Sequence, residues 1–186
     1  MDLEGKHIFL HICCAPCSIY TLKELRAGGA RVSGYFYNPN IHPYTEFSKR
    51  LSTLREYAKI ALLPLMVDDS YELDRFLAGA LALGKDRCLS CYRMRLEKAF
   101  QKAAGGGFDA LTTTLLYSRY QRHDDIKRIG EELSAAYGVP FVYRDFRTGW
   151  REGIEESKKL GMYRQQYCGC IFSEKERYGG NDAVHG

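Results

Sequence analysis

Seven cysteines fall into three tight groups: Cys13, Cys14 and Cys17 in the run HICCAPC at 11–17, Cys88 and Cys91 in CLSC, and Cys168 with Cys170 in CGC. Grouped thiols pair as disulfides, pass two electrons as a dithiol, or hold a soft metal as thiolates: zinc, copper(I) or an iron-sulfur cluster. An isolated cysteine is commonly just a small buried hydrophobe, but here none is isolated. A C-x-x-C pair offers two sulfurs to one metal from a single turn. A C-x-C disulfide closes a very small, strained ring, so it is easily reduced and its dithiol is a poor reductant. Cys13 and Cys14 are neighbours, and successive side chains point apart in an extended chain. A turn must follow if both serve one centre. Structural zinc would use four ligands and leave three cysteines without a role. A four-thiolate 4Fe-4S cluster also uses four, but electron transfer gives the remaining thiols a use.

The hydrophobic pattern indicates the elements that bring these groups together. HIFLHI at 7–12 reads as a buried strand ending at the first cysteine loop. Pro16 and Ser18 open a helix over Ile19 to Arg26, stopped by Gly28 and Gly29. A strand over Val32 to Tyr37 ends in the turn Asn38-Pro39-Asn40, and Pro43 starts a helix over Tyr44 to about Ala61. Pro64 to Val67 is a third strand and Tyr71 to Leu83 a helix. Cys88 and Cys91 start another helix that ends at the glycines 105–107. Ala110 to Leu115 and Val139 to Tyr143 read as two more strands, on either side of a helix over Asp124 to Tyr137. A helix over Trp150 to Leu160 precedes the Cys168 loop and a polar tail, expected to be disordered over 179–186.

Strands alternating with helices predict right-handed crossovers and an α/β fold. The expected architecture is doubly wound, with a mainly parallel sheet of about five strands, Rossmann-like and related to the nucleotide-alpha hydrolase folds. Ligands in such sheets bind beyond the carboxyl ends of the strands. That places a metal site at the Cys13 to Cys17 loop, where nucleotide-binding relatives carry a glycine-rich phosphate loop.

Composition excludes several classes. At 186 residues, one domain over 1–178 suffices, and a chain of this size buries about two-thirds of its unfolded surface without staples. Metal is not needed merely to make it fold. The apolar fraction of 45% and charged fraction of 27% are ordinary, and no tract of about 18 apolar residues is present. A membrane partner is therefore not expected. The acidic N-terminus lacks the basic start and long apolar core of a signal peptide, so the expected location is the reducing cytoplasm, where clustered thiols serve metals or redox chemistry. A net charge of +4 permits a nucleic-acid partner without demanding one.

The stretches HICCAPC at 11–17, CLSCYRMRL at 88–96 and QQYCGCIFS at 165–173 resemble the three signature stretches of the QueH family of epoxyqueuosine reductases. The resemblance runs in order over nearly the whole chain, with no departure in its cysteines. It implies an oxidoreductase acting at the last step of queuosine synthesis in tRNA. The epoxide of epoxyqueuosine at the wobble position is reduced to an alkene, and its oxygen leaves as water. It implies a 4Fe-4S cluster, an additional mononuclear iron, no cobalamin, and an electron-donor protein as a further partner. Carried over residue by residue, Cys13, Cys14, Cys88 and Cys91 bind the cluster, with Cys168 and Cys170 as a redox pair or second-metal ligands. Cys17 either replaces Cys14 or joins the second iron, with Asp68 or Asp69 as a carboxylate partner. Tyr92, Tyr167, His11 and His123 are acid candidates by position, and each is equally a packing residue.

Three segments interleave basic and aromatic residues: Tyr117 to His123, Tyr143 to Arg147 with Trp150 and Arg151, and Tyr163 to Tyr167. Such segments track phosphates and stack splayed loop bases; alone they read equally well as solvated faces. Three alternatives stay open. An iron-sulfur tRNA-thiolating enzyme would bind ATP through a glycine- and serine-rich loop where this chain has Cys-Cys-Ala-Pro-Cys, so ATP use is not expected. A non-catalytic zinc-binding RNA adaptor would have no open metal position. A thiol-disulfide oxidoreductase would use one C-x-x-C at a helix start and leave five cysteines idle.

Overall fold

The computed structural model describes residues 1–179. Strands β1 (His7–His11), β2 (Arg31–Phe36), β3 (Leu65–Val67) and β4 (Ala110–Thr113) form one sheet in the order β3-β2-β1-β4, every pairing parallel. Ile8, Phe9 and Leu10 of β1 are fully buried, as a central strand covered on both faces must be. Register decides where the strands stop. His11 stands opposite Tyr35 on β2 and Thr113 on β4, so β1 and β4 release the chain at the same height.

Parallel neighbours need crossovers. Helix α1 (Ala15–Ala27) joins β1 to β2, and α2 (Tyr44–Ile60) joins β2 to β3. From β3 the chain returns through α3 (Leu73–Leu83) and α4 (Arg87–Gly106) across the other face to β4. Helix α5 (His123–Tyr137) packs beside α4, while α6 (Trp150–Lys159) packs against α1, so helices cover both faces. The winding reverses between β1 and β4. That makes their shared carboxyl end the topological switch point, and the doubly wound architecture is the one expected.

Several details differ from expectation. Val139 to Tyr143 is not a strand: it contributes an isolated parallel bridge, Leu111 to Phe141, in which Leu111 N–H donates to Pro140 at 2.8 Å and Val142 N–H to Leu111 at 2.8 Å. Pro140 has no N–H to extend a ladder. The strand expected over Ala110 to Leu115 stops at Thr113, whose Oγ1 accepts from Leu115 N–H at 3.2 Å and turns the chain into a 3-10 helix, Thr114–Tyr117. Helix α1 starts earlier than expected, at Ala15, so Cys17 lies inside it and not in a loop. A last helix, α7 (Ile171–Tyr178), stands where a polar tail was expected, and Gly179 N–H caps it on Lys175 O at 2.7 Å. The rest of that tail, 180–186, lies outside the described residues.

Candidate metal centre

The β1–α1 junction is only three residues long, and that brevity builds the site. Ile12 N–H still bonds Tyr35 O at 2.8 Å, holding the chain to the sheet up to the first cysteine. Cys13 N–H then donates to Thr114 Oγ1 at 3.0 Å, and the same hydroxyl lies 3.2 Å from Cys13 Sγ. Cys14 is the extended N-cap of α1, with Pro at the start of the helix, where a missing N–H costs nothing. N-cap and third-position side chains face each other across a first turn. Cys14 and Cys17 hold those two positions.

Their Sγ atoms lie 2.7 Å apart, and Cys13 Sγ lies 3.7 Å from Cys14 Sγ. Both separations exceed a disulfide bond of about 2.05 Å, and all seven cysteines are free thiols. Among the described residues, these three are the one group of His, Cys, Asp or Glu whose donor atoms all fall within 4.8 Å. Gln165 covers them, its amide nitrogen 3.0 Å from Cys14 Sγ and 3.5 Å from Cys17 Sγ. Hydrogen bonds from Cys14 and Cys17 pull the Cys13 thiol well below its usual range. Burial and the Cys13 sulfur push Cys14 up, and hydrogen bonds to Cys13 and Cys14 push up Cys17.

The other four cysteines fall outside this close group and lie near one another. Cys88 and Cys91 lie on one face in the first turns of α4; burial pushes both thiols up, Cys91 to about 12. Cys168 and Cys170 act on both electrostatically, and Cys170 packs with Phe172 onto the small cluster of Phe76, Ala80 and Cys91. Residues 163–170 form a strap fixed by buried groups. Arg50 donates to Cys168 O at 2.9 Å, to Tyr167 O at 3.0 Å and to Glu46 at 2.7 Å, and Tyr163 OH bonds the other Glu46 oxygen. His42 N–H donates to Gly169 O at 2.7 Å, and Tyr167 OH donates to His42 O at 2.5 Å. Cys168 itself is exposed, with Gln121 Nε2 3.2 Å from its sulfur.

The donor set fits a soft metal or an iron-sulfur cluster. It is all sulfur, sits at the switch point, and lies beside two buried guanidiniums, Arg50 and Arg95. Arg95 Nη2, a buried donor without a partner among the described residues, is one that an anionic group held by the thiols would satisfy.

Other predicted residues have structural duties. His11 is fully buried between Thr113 Oγ1 at 2.8 Å and Tyr37 O at 3.1 Å, and burial lowers its pKa to about 4. Tyr92 is buried and its oxygen accepts from Arg122 N–H at 3.1 Å, while His123 Nε2 bonds Ser118 O at 3.2 Å. Asp68 pairs with Lys98 at 3.8 Å and Asp69 with Arg55 at 3.3 Å; neither belongs to the close donor group. Arg50, His42 and Gln165 were not singled out from sequence. Arg95 reads from sequence, with Lys85, Arg87 and Arg93, only as part of the basic charge around the C-x-x-C, which adds to an RNA face, screens a negative cluster or caps its helix; its i+4 spacing from Cys91 returns it to the same helix face.

Fold and site together define a doubly wound α/β protein with a buried thiol group at its switch point. The profile of the family described as Epoxyqueuosine reductase QueH matches residues 8–176. Among relatives, the epoxyqueuosine reductase QueH of Dehalococcoides mccartyi is 38% identical over 172 residues, 92% of this chain and 94% of its own. That of Thermotoga maritima is 35% identical over 179 residues, 91% of each chain. A predicted subunit of a tRNA methyltransferase from Methanocaldococcus jannaschii superposes with a TM-score of 0.56 at 12% identity, covering 81% of this chain and 74% of that one. That likeness concerns the fold alone. The chain belongs to the epoxyqueuosine reductase QueH family, and is by that membership an oxidoreductase.

Proposed function

We propose that this chain reduces the epoxide of epoxyqueuosine to the alkene of queuosine in tRNA, as the last step of queuosine synthesis. The observation that carries this reading is the convergence of Cys13, Cys14 and Cys17 at the β1–β4 switch point in a chain of this family. The reaction takes up two electrons and two protons: the epoxide oxygen leaves as water, and the two ring carbons gain a double bond. A 4Fe-4S cluster with an adjacent iron, needing neither cobalamin nor ATP, supplies single electrons and a Lewis-acid position for the oxygen when bound.

Cys13, Cys14, Cys88 and Cys91 are the ligands we assign to the cluster, with Cys17 exchangeable for Cys14 because their sulfurs are adjacent. Cys168 and Cys170 serve as a redox pair or hold the second iron, on a strap whose backbone Arg50 fixes. Gln165 covers the first thiols against water. His11 stays neutral at working pH and has both ring nitrogens engaged, so its part is to hold the end of β1 in place.

The RNA approaches the thiols from the β4 side. Arg119 lies over the Trp150 ring at 5.6 Å, and Tyr120, 83% exposed, stands edge-on to it at 6.0 Å. That is a stacking platform with an exposed cation, reached through the 3-10 helix that follows the strand bordering the thiols. An electron-donor protein completes the cycle, and seven free thiols suit a reducing cytoplasm. Anaerobic single turnover of dithionite-reduced, iron-reconstituted protein with tRNA carrying epoxyqueuosine tests the reading. Iron-dependent loss of one oxygen mass from the nucleoside is expected. Bound tRNA with an intact epoxide on cluster-loaded protein overturns it.

A further inference from the structure

Arg95 heads the largest fully buried side chains, at 2% exposure. It lies one turn beyond Cys91 on α4, so Cys88, Cys91 and Arg95 share a face at i, i+3 and i+7. Its Nε donates to Cys91 O at 3.3 Å and its guanidinium carbon lies 5.9 Å from the Tyr92 ring. Nη2 has no partner, and no carboxylate oxygen lies within 4.0 Å among the described residues. The other buried arginine of the site, Arg50, is paired with Glu46 at 2.7 Å.

Burying a charge costs several kcal/mol unless an anion compensates it. The groups facing Arg95 that can become anionic are thiols from three elements, Cys91 on its own helix, Cys168 on the strap and Cys13 after β1, and the Tyr92 hydroxyl, which burial keeps protonated. His11 also faces it but is neutral. Metal binding makes those thiols anionic, because each one that binds gives its proton to water. Four thiolates around a divalent ion sum to a net charge of −2. A four-thiolate cluster becomes one charge more negative for each electron it accepts.

We propose that Arg95 is the counter-charge of the thiolate centre, a positioning residue whose buried cation faces no carboxylate and is fully compensated only when the surrounding cysteines take up a soft metal, and which then favours the centre's electron-rich state. The proposal rests on reading the cysteines as metal ligands, but not on the reaction. It assigns Arg95 a sign that ordinary packing would not have: a burden in the metal-free protein and a support in the loaded one.

The test uses the full chain with thiols reduced, Cd2+ as the probe, and the variants Arg95→Met, which removes the charge at similar volume, and Arg95→Lys, which keeps it. Without metal, Arg95→Met should resist denaturant at least as well as wild type. With Cd2+ it should gain less stability, and its Cd2+ affinity, read from sulfur-to-cadmium absorption, should fall about tenfold or more, with Arg95→Lys restoring most of it. In iron-reconstituted protein the Arg95→Met midpoint should drop by about 59 mV, a tenfold change for one electron. Equal loss of stability with and without Cd2+, failure of Arg95→Met to fold, or unchanged Cd2+ affinity would each overturn the proposal. A wild type that shows the Cd2+ contrasts but takes up no iron, or leaves the epoxide intact, sinks the reductase reading and leaves the counter-charge standing.

Discussion

Cys14 and Cys17 are three residues apart, a spacing that in mid-helix would merely share a face; at the N-cap and first turn of α1 it closes a buried thiol pair beside Cys13. Cys13→Ala should therefore remove most bound iron, measured per chain after reconstitution. Cys168→Ala should leave most of that iron in place and abolish turnover, since its exposed sulfur stands apart from the close group. Full activity of the second variant would take the strap thiols out of the chemistry. His42 makes a different prediction. It is buried against Tyr71 and Phe76, neither ring nitrogen has a hydrogen-bond partner, and burial lowers its pKa from 6.5 to about 4. The unfolded chain takes up that proton first as pH falls. The stabilisation is fully present above pH 6.5 and is lost as pH drops from there towards 4, on the order of 3 kcal/mol. His42→Phe should lessen the decline in denaturation midpoint between neutral and acidic buffer, leaving the part that His11, lowered to about 4 by burial, contributes over the same window; an equally steep decline would place the titration elsewhere.

At the level of elements, the strap over 163–170 is held by buried hydrogen bonds and contributes little apolar packing. Gly169 sits at φ +136°, and an added Cβ would approach Arg50 Nη1 to 3.1 Å and Asn40 Nδ2 to 3.2 Å. Gly169→Ala forces a backbone conformation that costs about 1–3 kcal/mol, and the strap is the part free to move. Alkylation of Cys168 and Cys170 should accelerate while far-UV circular dichroism stays unchanged. Unaltered labelling rates would show that the strap tolerates the change. The elements also divide into legible and illegible. β1, β2, α2, α5 and α6 were readable because apolar periodicity and glycine or proline stops agree with the tertiary contacts. The fifth strand failed because β-propensity at Val139 and Tyr143 cannot supply the N–H that Pro140 lacks. Helix α7 was missed because it is short and polar, and it packs through Phe172 alone onto a cluster built by α3 and α4.

For the molecule as a whole, the main core runs continuously from Leu3 to Phe146 and is built from ordinary apolar side chains around the sheet. Removing metal with a chelator under reducing conditions should leave far-UV circular dichroism unchanged and lower the thermal midpoint, unlike small domains that unfold without their zinc. Collapse of secondary structure would mean that the thiol centre is part of the fold's nucleus. No described helix is long and apolar enough to cross a membrane. On the RNA side, the two arginines of the segment Tyr117 to His123 differ: Arg122 is tied to Asp86 at 3.2 Å and Asp125 at 2.5 Å, whereas Arg119 is exposed over Trp150. Tyr120→Ala should cost about 1–3 kcal/mol of tRNA affinity, and Arg119→Ala should reduce the salt slope by about 1. An unchanged affinity and slope in both would move the RNA to another face.

The sequence by itself determined the alternation of strands and helices, the location of the first thiols at a strand's carboxyl end, and the family, because these depend on local periodicity and on residue types at short spacing. Only the tertiary structure decided which sulfurs meet. Cys17 joins Cys13 and Cys14 because α1 begins at Ala15, and Cys168 and Cys170 come to Cys88 and Cys91 because Arg50 and His42 fasten the strap. Nor could spacing reveal that Arg95 lies buried and without a carboxylate. A charge's cost depends on everything packed around it, and that packing exists only once the chain has closed on itself.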